Sequence, residues 1–269
     1  SIKKIGHTGT LDPNAMGVLP ICIGKATRIS EYLLDIDKEY IGELTLGAAT
    51  DTLDSDGEIL NTSDVQVSEK EIADVFRKYT GKISQTPPMY SAIRVNGKRL
   101  YELAREGIEI ERKSRDINIY DLDIMNIAEN RKIFFYTRCS KGTYIRTLCD
   151  DIGLELGTYG YMSYLMRVGV GDFKLENSYG MDYLKSLPLD KVIDLLIPMD
   201  KAISHLGKLT VPNSLYGKLI NGVKLSIGKD TDIEYGIPLR VYCMEKFIGI
   251  GKIIQAEDDQ YLKMDKVLI

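Results

Sequence analysis

The order of apolar and polar positions divides the chain into a mixture of helices and strands followed by a strand-rich tail. Over 26–34, Ile29, Leu33 and Leu34 share one side of a 3.6-residue period, which predicts a helix. Over 40–46 the pattern alternates: Tyr40, Gly42, Leu44 and Leu46 on one face, Ile41, Glu43 and Thr45 on the other, as in a strand. Asp54-Ser55-Asp56-Gly57 is a turn. Ser68-Glu69-Lys70-Glu71 has the form of a capping box, so a helix is expected over 69–79, stopped by Gly81. Thr86-Pro87-Pro88-Met89-Tyr90 has to be extended, because proline lacks an N–H and disfavours helix in the residue before it. A short helix over 99–106 should end at Gly107. Two strand runs, 117–127 and 132–139, flank the hairpin signal Glu129-Asn130-Arg131. A helix is expected over 144–155, another over 161–166, and strand again over 169–175.

From about residue 206 the texture changes to short strand runs, 209–211, 239–244, 247–254 and 261–264, with glycine-rich turns. The stretch 192–205, with Pro198 inside it, reads as the join. At the front, residues 6–20 hold Gly6, Gly9, Gly17 and Pro13 among few apolar side chains, which predicts a loop without regular structure. The expected fold class is α+β: a mixed sheet flanked by helices over 1–200, then a small β-rich, barrel-like domain over 206–269.

Composition narrows the function classes. The 269 residues are 44% apolar and 28% charged, close to an ordinary globular chain. No apolar run approaches the roughly 20 residues that cross a bilayer, so no membrane association is expected. No long apolar stretch follows Ser1-Ile2-Lys3-Lys4, so no signal peptide is expected. Cys22, Cys139, Cys149 and Cys243 lie too far apart for a zinc knuckle or a redox pair, and reduced thiols in a cytoplasmic protein are the simplest reading. With only His7 and His205, a histidine metal site has little to work with, and no metal is expected. The net charge of −4 argues against bulk electrostatic binding of nucleic acid but leaves room for a local basic patch. Neither a dinucleotide fingerprint, a phosphate-binding P-loop nor a serine nucleophile elbow occurs.

Such a patch lies between Met89 and Arg115. It holds seven basic residues (Arg94, Lys98, Arg99, Arg105, Arg112, Lys113, Arg115) against four glutamates, with Tyr90 and Tyr101 interleaved. A charge run is most often a solvated face. A +3 segment in an acidic chain, with tyrosines between the charges, also suits a surface that tracks a nucleic-acid backbone. Asp12, ahead of Pro13 in the glycine-rich loop, is either an ordinary turn residue or a carboxylate held for chemistry. Arg146, expected at a helix start, is either a surface arginine or the bidentate partner of a buried carboxylate. Tyr40 is a strand packing residue or a base-stacking one, and His7 a loop histidine or a contact residue.

Taken together, the strings resemble the bacterial TruB family of tRNA pseudouridine synthases. Gly6-His7-Thr8-Gly9-Thr10-Leu11-Asp12-Pro13, followed by Gly17-Val18-Leu19-Pro20, resembles the family's catalytic-aspartate motif. Lys38-Glu39-Tyr40, Thr50-Asp51-Thr52 with Asp54, Pro87-Pro88-Met89-Tyr90-Ser91-Ala92, Asn96-Gly97-Lys98-Arg99-Leu100-Tyr101 and Cys139-Ser140-Lys141-Gly142-Thr143-Tyr144-Ile145-Arg146 resemble its later motifs, in order. The likeness covers about residues 3–172, and the tail resembles a PUA-type RNA-binding domain. The resemblance implies a cofactor-free isomerisation of the uridine at position 55 of the tRNA T-loop, on a base flipped out of its stack. It implies Asp12 as the catalytic aspartate, acting at the sugar C1′ or the base C6, and Arg146 as its partner. Tyr40 would stack on the uracil and serve proton abstraction, Tyr144 and Leu165 would line the uridine pocket, and His7 would touch the T-loop. Lys98, Arg99 and Arg105 would meet phosphates. The expected partner is tRNA, through its T-stem-loop, with no protein partner, and the expected state is a monomer. Asp12, Tyr40 and Arg146 should therefore converge on one cleft.

Family members carry a Lys-Pro element and a Thr-Ser pair ahead of the aspartate motif. Against that pattern the chain looks shortened at the front by roughly one strand and one helix. This keeps a second reading open, an RNA-binding or tRNA-folding protein of the same fold without catalysis. A guide-RNA-dependent synthase is a third, opposed by the lack of a long basic tail.

Overall fold

The computed structural model describes residues 3–129, 131–228, 233–256 and 259–269. The chain forms two compact units. One comprises 9–20 and 34–178, the other 1–8, 21–33 and 179–269.

The first unit is built on a largely antiparallel sheet, in the order Phe173–Lys174, Gly160–Val170, Lys38–Leu46, Lys132–Cys139, Arg115–Ala128, Gly81–Gln85. A two-residue strand, Met16–Gly17, lies parallel to Gly160–Val170. Alternation explains the central strand: Gly42, Leu44 and Leu46 are buried while their neighbours are only half-buried. One face is covered by the helices Glu69–Lys78 and Ile145–Glu155, whose Ile72, Val75, Phe76, Leu148, Cys149 and Ile152 join Leu44, Ile119, Ile133 and Phe135 in one core. Gly42 permits that packing, since a Cβ there would sit 2.7 Å from the Phe135 ring. The capping box forms as expected, with the Ser68 hydroxyl accepting from the Glu71 N–H and the Glu71 carboxylate accepting from the Ser68 N–H.

Three local expectations need correction. Residues 161–166 are strand, part of Gly160–Val170. A bulge at Ser163 shifts the pairing from Met162↔Leu44 to Tyr164↔Glu43. Met162 and Leu165 are therefore both buried at a spacing of three, which imitates a helical stripe. The continuous helix expected over 26–34 is two pieces, a 3₁₀ turn Gly24–Arg28 and a short α-helix Ser30–Leu34. The Thr27 hydroxyl donates to the Gly24 carbonyl and the Ser30 hydroxyl to the Thr27 carbonyl, side-chain bonds that compete with an unbroken helical ladder. Within 6–20, the loop includes two short paired segments: Ile5–His7 runs antiparallel to Ile21–Ile23, and Met16–Gly17 joins the large sheet.

The second unit carries a five-stranded sheet in the order Gly207–Val211, Pro238–Cys243, Lys246–Ala256, Asp259–Val267, Leu225–Gly228, all antiparallel except the first pair. Val211, Val241, Cys243, Ile248, Ile253 and Leu262 form its core with Leu219 from the helix Tyr216–Ile220. Lys266 on the strand Asp259–Val267 pairs with Glu31, and Arg28 donates to the Val267 carbonyl, tying segment 21–33 to this sheet. The four cysteines are free and buried. Among the described residues, no helix is long and apolar enough to cross a membrane.

Candidate active site

Asp12 owes its position to a turn. The Ala15 N–H donates to the Asp12 carbonyl at 2.9 Å, so Asp12-Pro13-Asn14-Ala15 is a β-turn with aspartate first and proline second, the positions these residues favour. The turn is followed by Gly17 at φ +110°, where a Cβ would lie 2.1 Å from the Arg167 carbonyl oxygen. Only glycine allows the loop to approach the sheet so closely.

Arg146 owes its position to the first turn of the helix Ile145–Glu155. Tyr144 is the residue before that helix, and both its backbone groups are held by one buried amide. Gln85 donates to the Tyr144 carbonyl at 3.0 Å and accepts from the Tyr144 N–H at 2.8 Å. The Arg146 guanidinium then makes four directed bonds. Nε and Nη2 donate to the two oxygens of Asp12 at 3.0 and 3.1 Å, the bidentate fork. Nη1 donates to the Thr52 carbonyl at 3.0 Å and Nη2 to the Tyr90 carbonyl at 2.8 Å. The Arg146 side chain is only 6% exposed, whereas that of Asp12 is 38% exposed. The carboxylate is thus fixed by a buried cation while keeping a face open to a substrate.

A second carboxylate belongs to the group. An Asp54 oxygen is 3.6 Å from Arg146 Nε. Asp54 is oriented by the Thr52 hydroxyl at 2.5 Å and the Asp56 N–H at 3.1 Å. In the sequence Asp54 stands in a turn and beside the Thr50-Asp51-Thr52 motif, with no chemical role assigned to it. Its place beside Arg146 depends on contacts between the 50–57 turn and the bulged strand, with the Met162 N–H donating to the Leu53 carbonyl.

An open pocket lies over Asp12. Its lining includes Ala15, Asp54, Met162, Tyr164 and Leu165. The bulge that hid this strand from the sequence pattern also brings Met162 and Leu165 to the same pocket, a use of bulges common beside functional sites. Tyr40 lies opposite Arg167 in the neighbouring strand, within electrostatic reach of Asp12. Burial pushes its hydroxyl up to about 12, with Cys139 and Asp12 adding to the rise and the positive charge of Arg167 opposing it. Tyr40 is therefore a neutral phenol near neutral pH.

The remaining residues are more dispersed. Tyr144 is half-buried under Arg115, whose guanidinium sits 5.0 Å from its ring centre, and it does not line the pocket. His7 is exposed on Ile5–His7, in the other unit. Lys98 and Arg99 sit on a hairpin turned by Asn96 and Gly97 at φ 51° and 86°, the positive values an Asn-Gly turn favours. Arg99 and Arg105 both lie over the Tyr101 ring, at 5.7 and 5.5 Å, while Lys98 pairs with Glu106. This patch is linked to the site by one short segment: the Tyr90 carbonyl accepts from Arg146, and the next carbonyl, that of Ser91, accepts from the Tyr101 N–H.

Comparison with known proteins decides the family. Residues 1–145 match the model of the TruB family pseudouridylate synthase N-terminal domain, and residues 146–204 match that of the tRNA pseudouridylate synthase B C-terminal domain. The chain belongs to the TruB family. It is 46% identical over 273 residues to the tRNA pseudouridine synthase B of Alkaliphilus oremlandii (strain OhILAs), covering 100% of this chain and 90% of the relative. It is 48% identical over 234 residues to that of Geobacillus thermodenitrificans (strain NG80-2), covering 84% and 78%. Among solved structures, a chain in the crystal structure of a Cbf5-Nop10-Gar1 complex superposes with a TM-score of 0.76 at 26% identity, over 100% of this chain and 77% of that one. The TruB fold thus accounts for the α+β architecture expected from the sequence, with its mixed sheet, flanking helices and β-rich tail.

Proposed function

We propose that this TruB-family chain isomerises uridine to pseudouridine at position 55 in the T-loop of tRNA, with Asp12 as the catalytic residue. The observation that carries the reading is the bidentate Asp12–Arg146 pair, half open to a pocket, in a chain of this family.

The reaction breaks the bond from C1′ to N1, joins C1′ to C5, releases the proton on C5 and returns one to N1. Uracil must leave the sugar, rotate and rejoin, so an anionic oxygen that attacks C1′ or C6, and can later leave, supplies the intermediate without a cofactor. Arg146 orients that oxygen and balances its charge. Leu165 and Met162 give the detached base an apolar wall. Tyr40 stacks on the uracil; its phenol, neutral in the resting site, passes its own proton to N1 of the detached base, and the phenolate so formed, facing the Arg167 guanidinium, takes up the C5 proton. Tyr144, held by Gln85 just before the helix Ile145–Glu155, positions Arg146 from outside the pocket. His7 contacts the T-loop. The domain formed by 206–269 acts as a PUA-like RNA-binding module, and 1–200 as the synthase domain. The chain works on tRNA as a monomer in the cytoplasm, without a protein partner.

The reading is tested with two unmodified tRNA transcripts, identical except for uridine or cytidine at position 55. Mapping of pseudouridine should find it at 55 in the first and nowhere in the second. Tight binding of both transcripts without product would favour an RNA-binding protein of this fold.

Lys98, Arg99 and Arg105 are assigned to phosphate contacts. Replacing all three with glutamine should weaken tRNA binding at least tenfold at about 0.1 M salt and flatten the salt dependence by up to about three charge equivalents. Filter binding across a salt series measures both, and an unchanged slope would remove the patch from RNA binding.

A further inference from the structure

We propose that Arg167 is a positioning residue of the reaction, clasping both ends of the Asp12 loop with one buried guanidinium beside its cross-strand neighbour Tyr40. The inference rests on the function proposed above.

Arg167 lies on the strand Gly160–Val170 and is 2% exposed. Among the described residues, no carboxylate comes within ion-pair distance of it. An isolated cation is expensive to bury, and an apolar side chain of similar volume would fill the same space at less cost. What the guanidinium does have is a set of acceptors from the machinery of the site. Nε donates to the Val18 carbonyl at 2.7 Å and Nη2 to the Gly9 carbonyl at 3.1 Å. The Val18 N–H donates in turn to the Arg167 carbonyl at 2.8 Å, so both backbone groups of Val18 are fixed by this one residue. Gly9 and Val18 bracket the segment that presents Asp12. Tyr40 is the direct cross-strand neighbour of Arg167, and its hydroxyl lies within the electrostatic reach of the same guanidinium.

The loop is also shaped to admit this contact. Gly9 takes φ +126°, a backbone conformation that side chains rarely allow, and Gly17 leaves space against the Arg167 backbone that no side chain could share. The nucleophile's loop and the proton-handling phenol are thus referenced to a single planar group on the rigid sheet. A planar fork can hold several acceptors at fixed angles, which the point charge of a lysine cannot.

The test compares the parent with Arg167→Met and Arg167→Lys on an unmodified tRNA transcript. Three quantities are read: the single-turnover rate of pseudouridine formation, the tRNA Kd, and amide hydrogen exchange in peptides covering 9–18 and 145–155. In Arg167→Met the rate should fall about a hundredfold or more, the scale expected of a reacting group misplaced by about 1 Å. Its Kd should stay within twofold of the parent. Exchange should rise at least tenfold in 9–18 and stay unchanged in 145–155. Arg167→Lys should show a smaller loss with the same selectivity, and it decides the matter if the methionine variant does not fold. Unchanged rate and unchanged loop exchange would overturn the proposal. So would a loss of protection spread over both peptides, which marks a merely structural residue. Should the parent itself form no pseudouridine, the functional reading fails, while loop exchange still decides whether Arg167 holds the loop.

Discussion

Asp12→Asn is expected to reduce pseudouridine formation by roughly 10³-fold or more while tRNA binding stays within about twofold. The amide is nearly isosteric with the carboxylate, so the turn closed by the Ala15 N–H survives. What is lost is the anionic oxygen that must attack or stabilise the intermediate. Arg146 keeps its bonds to the Thr52 and Tyr90 carbonyls and still has Asp54 at 3.6 Å, so the local cost should sit near the lower end of about 1–3 kcal/mol. Single-turnover kinetics with a denaturant titration separates the two effects. Turnover comparable to the parent would remove Asp12 from the chemistry.

Arg146→Met should behave differently, losing both turnover and stability. The side chain is nearly buried and joins three separate segments: the Asp12 turn, the Thr52 carbonyl and the Tyr90 carbonyl. Methionine fills much of the volume but donates nothing. Two carbonyls then lose a charged donor and Asp12 loses its counter-charge, a loss of about 2–4 kcal/mol given that these acceptors are only partly buried. The urea midpoint should fall accordingly, and turnover should fall at least as far as in Asp12→Asn because the carboxylate is no longer aimed. The pair of variants is therefore diagnostic: one separates rate from stability, the other couples them. An Arg146→Met protein with the parent's urea midpoint would show that the bonds around Arg146 contribute little to the fold.

What could be read from the sequence, and what could not, follows from the range of the interactions involved. The Ser68 capping box and the alternation over 40–46 are set by residues within a few positions of each other, and they form as their chemistry dictates. Asp12 and Arg146 each stood out through a local motif, and their pairing is a tertiary event between segments 134 residues apart. Gln85 and Arg167 had no such local sign, and Asp54, though it stood with the Thr50-Asp51-Thr52 motif, gave no sign of its place beside Arg146. Gln85 and Arg167 act on main-chain groups far away in sequence, and any residue can supply a carbonyl or an N–H, so their partners leave no trace in side-chain pattern. The strand Gly160–Val170 was misread for a related reason. One extra residue at Ser163 converts a period of two into a spacing of three, and only the partner strand reveals the bulge. Tyr40 was visible as a strand residue, while the burial that keeps its phenol neutral comes from the sheet and loop assembled around it.

The most direct test of the central claim is release of tritium from an unmodified T-stem-loop hairpin carrying [5-³H]uridine at the position equivalent to 55. Forming the C1′–C5 bond expels the hydrogen on C5, so each turnover frees one tritium. Stoichiometric release by the parent chain, lost in Asp12→Asn although the hairpin still binds, is the expected result. Binding of the hairpin by the parent without tritium release, or equal release by the Asn variant, would contradict it.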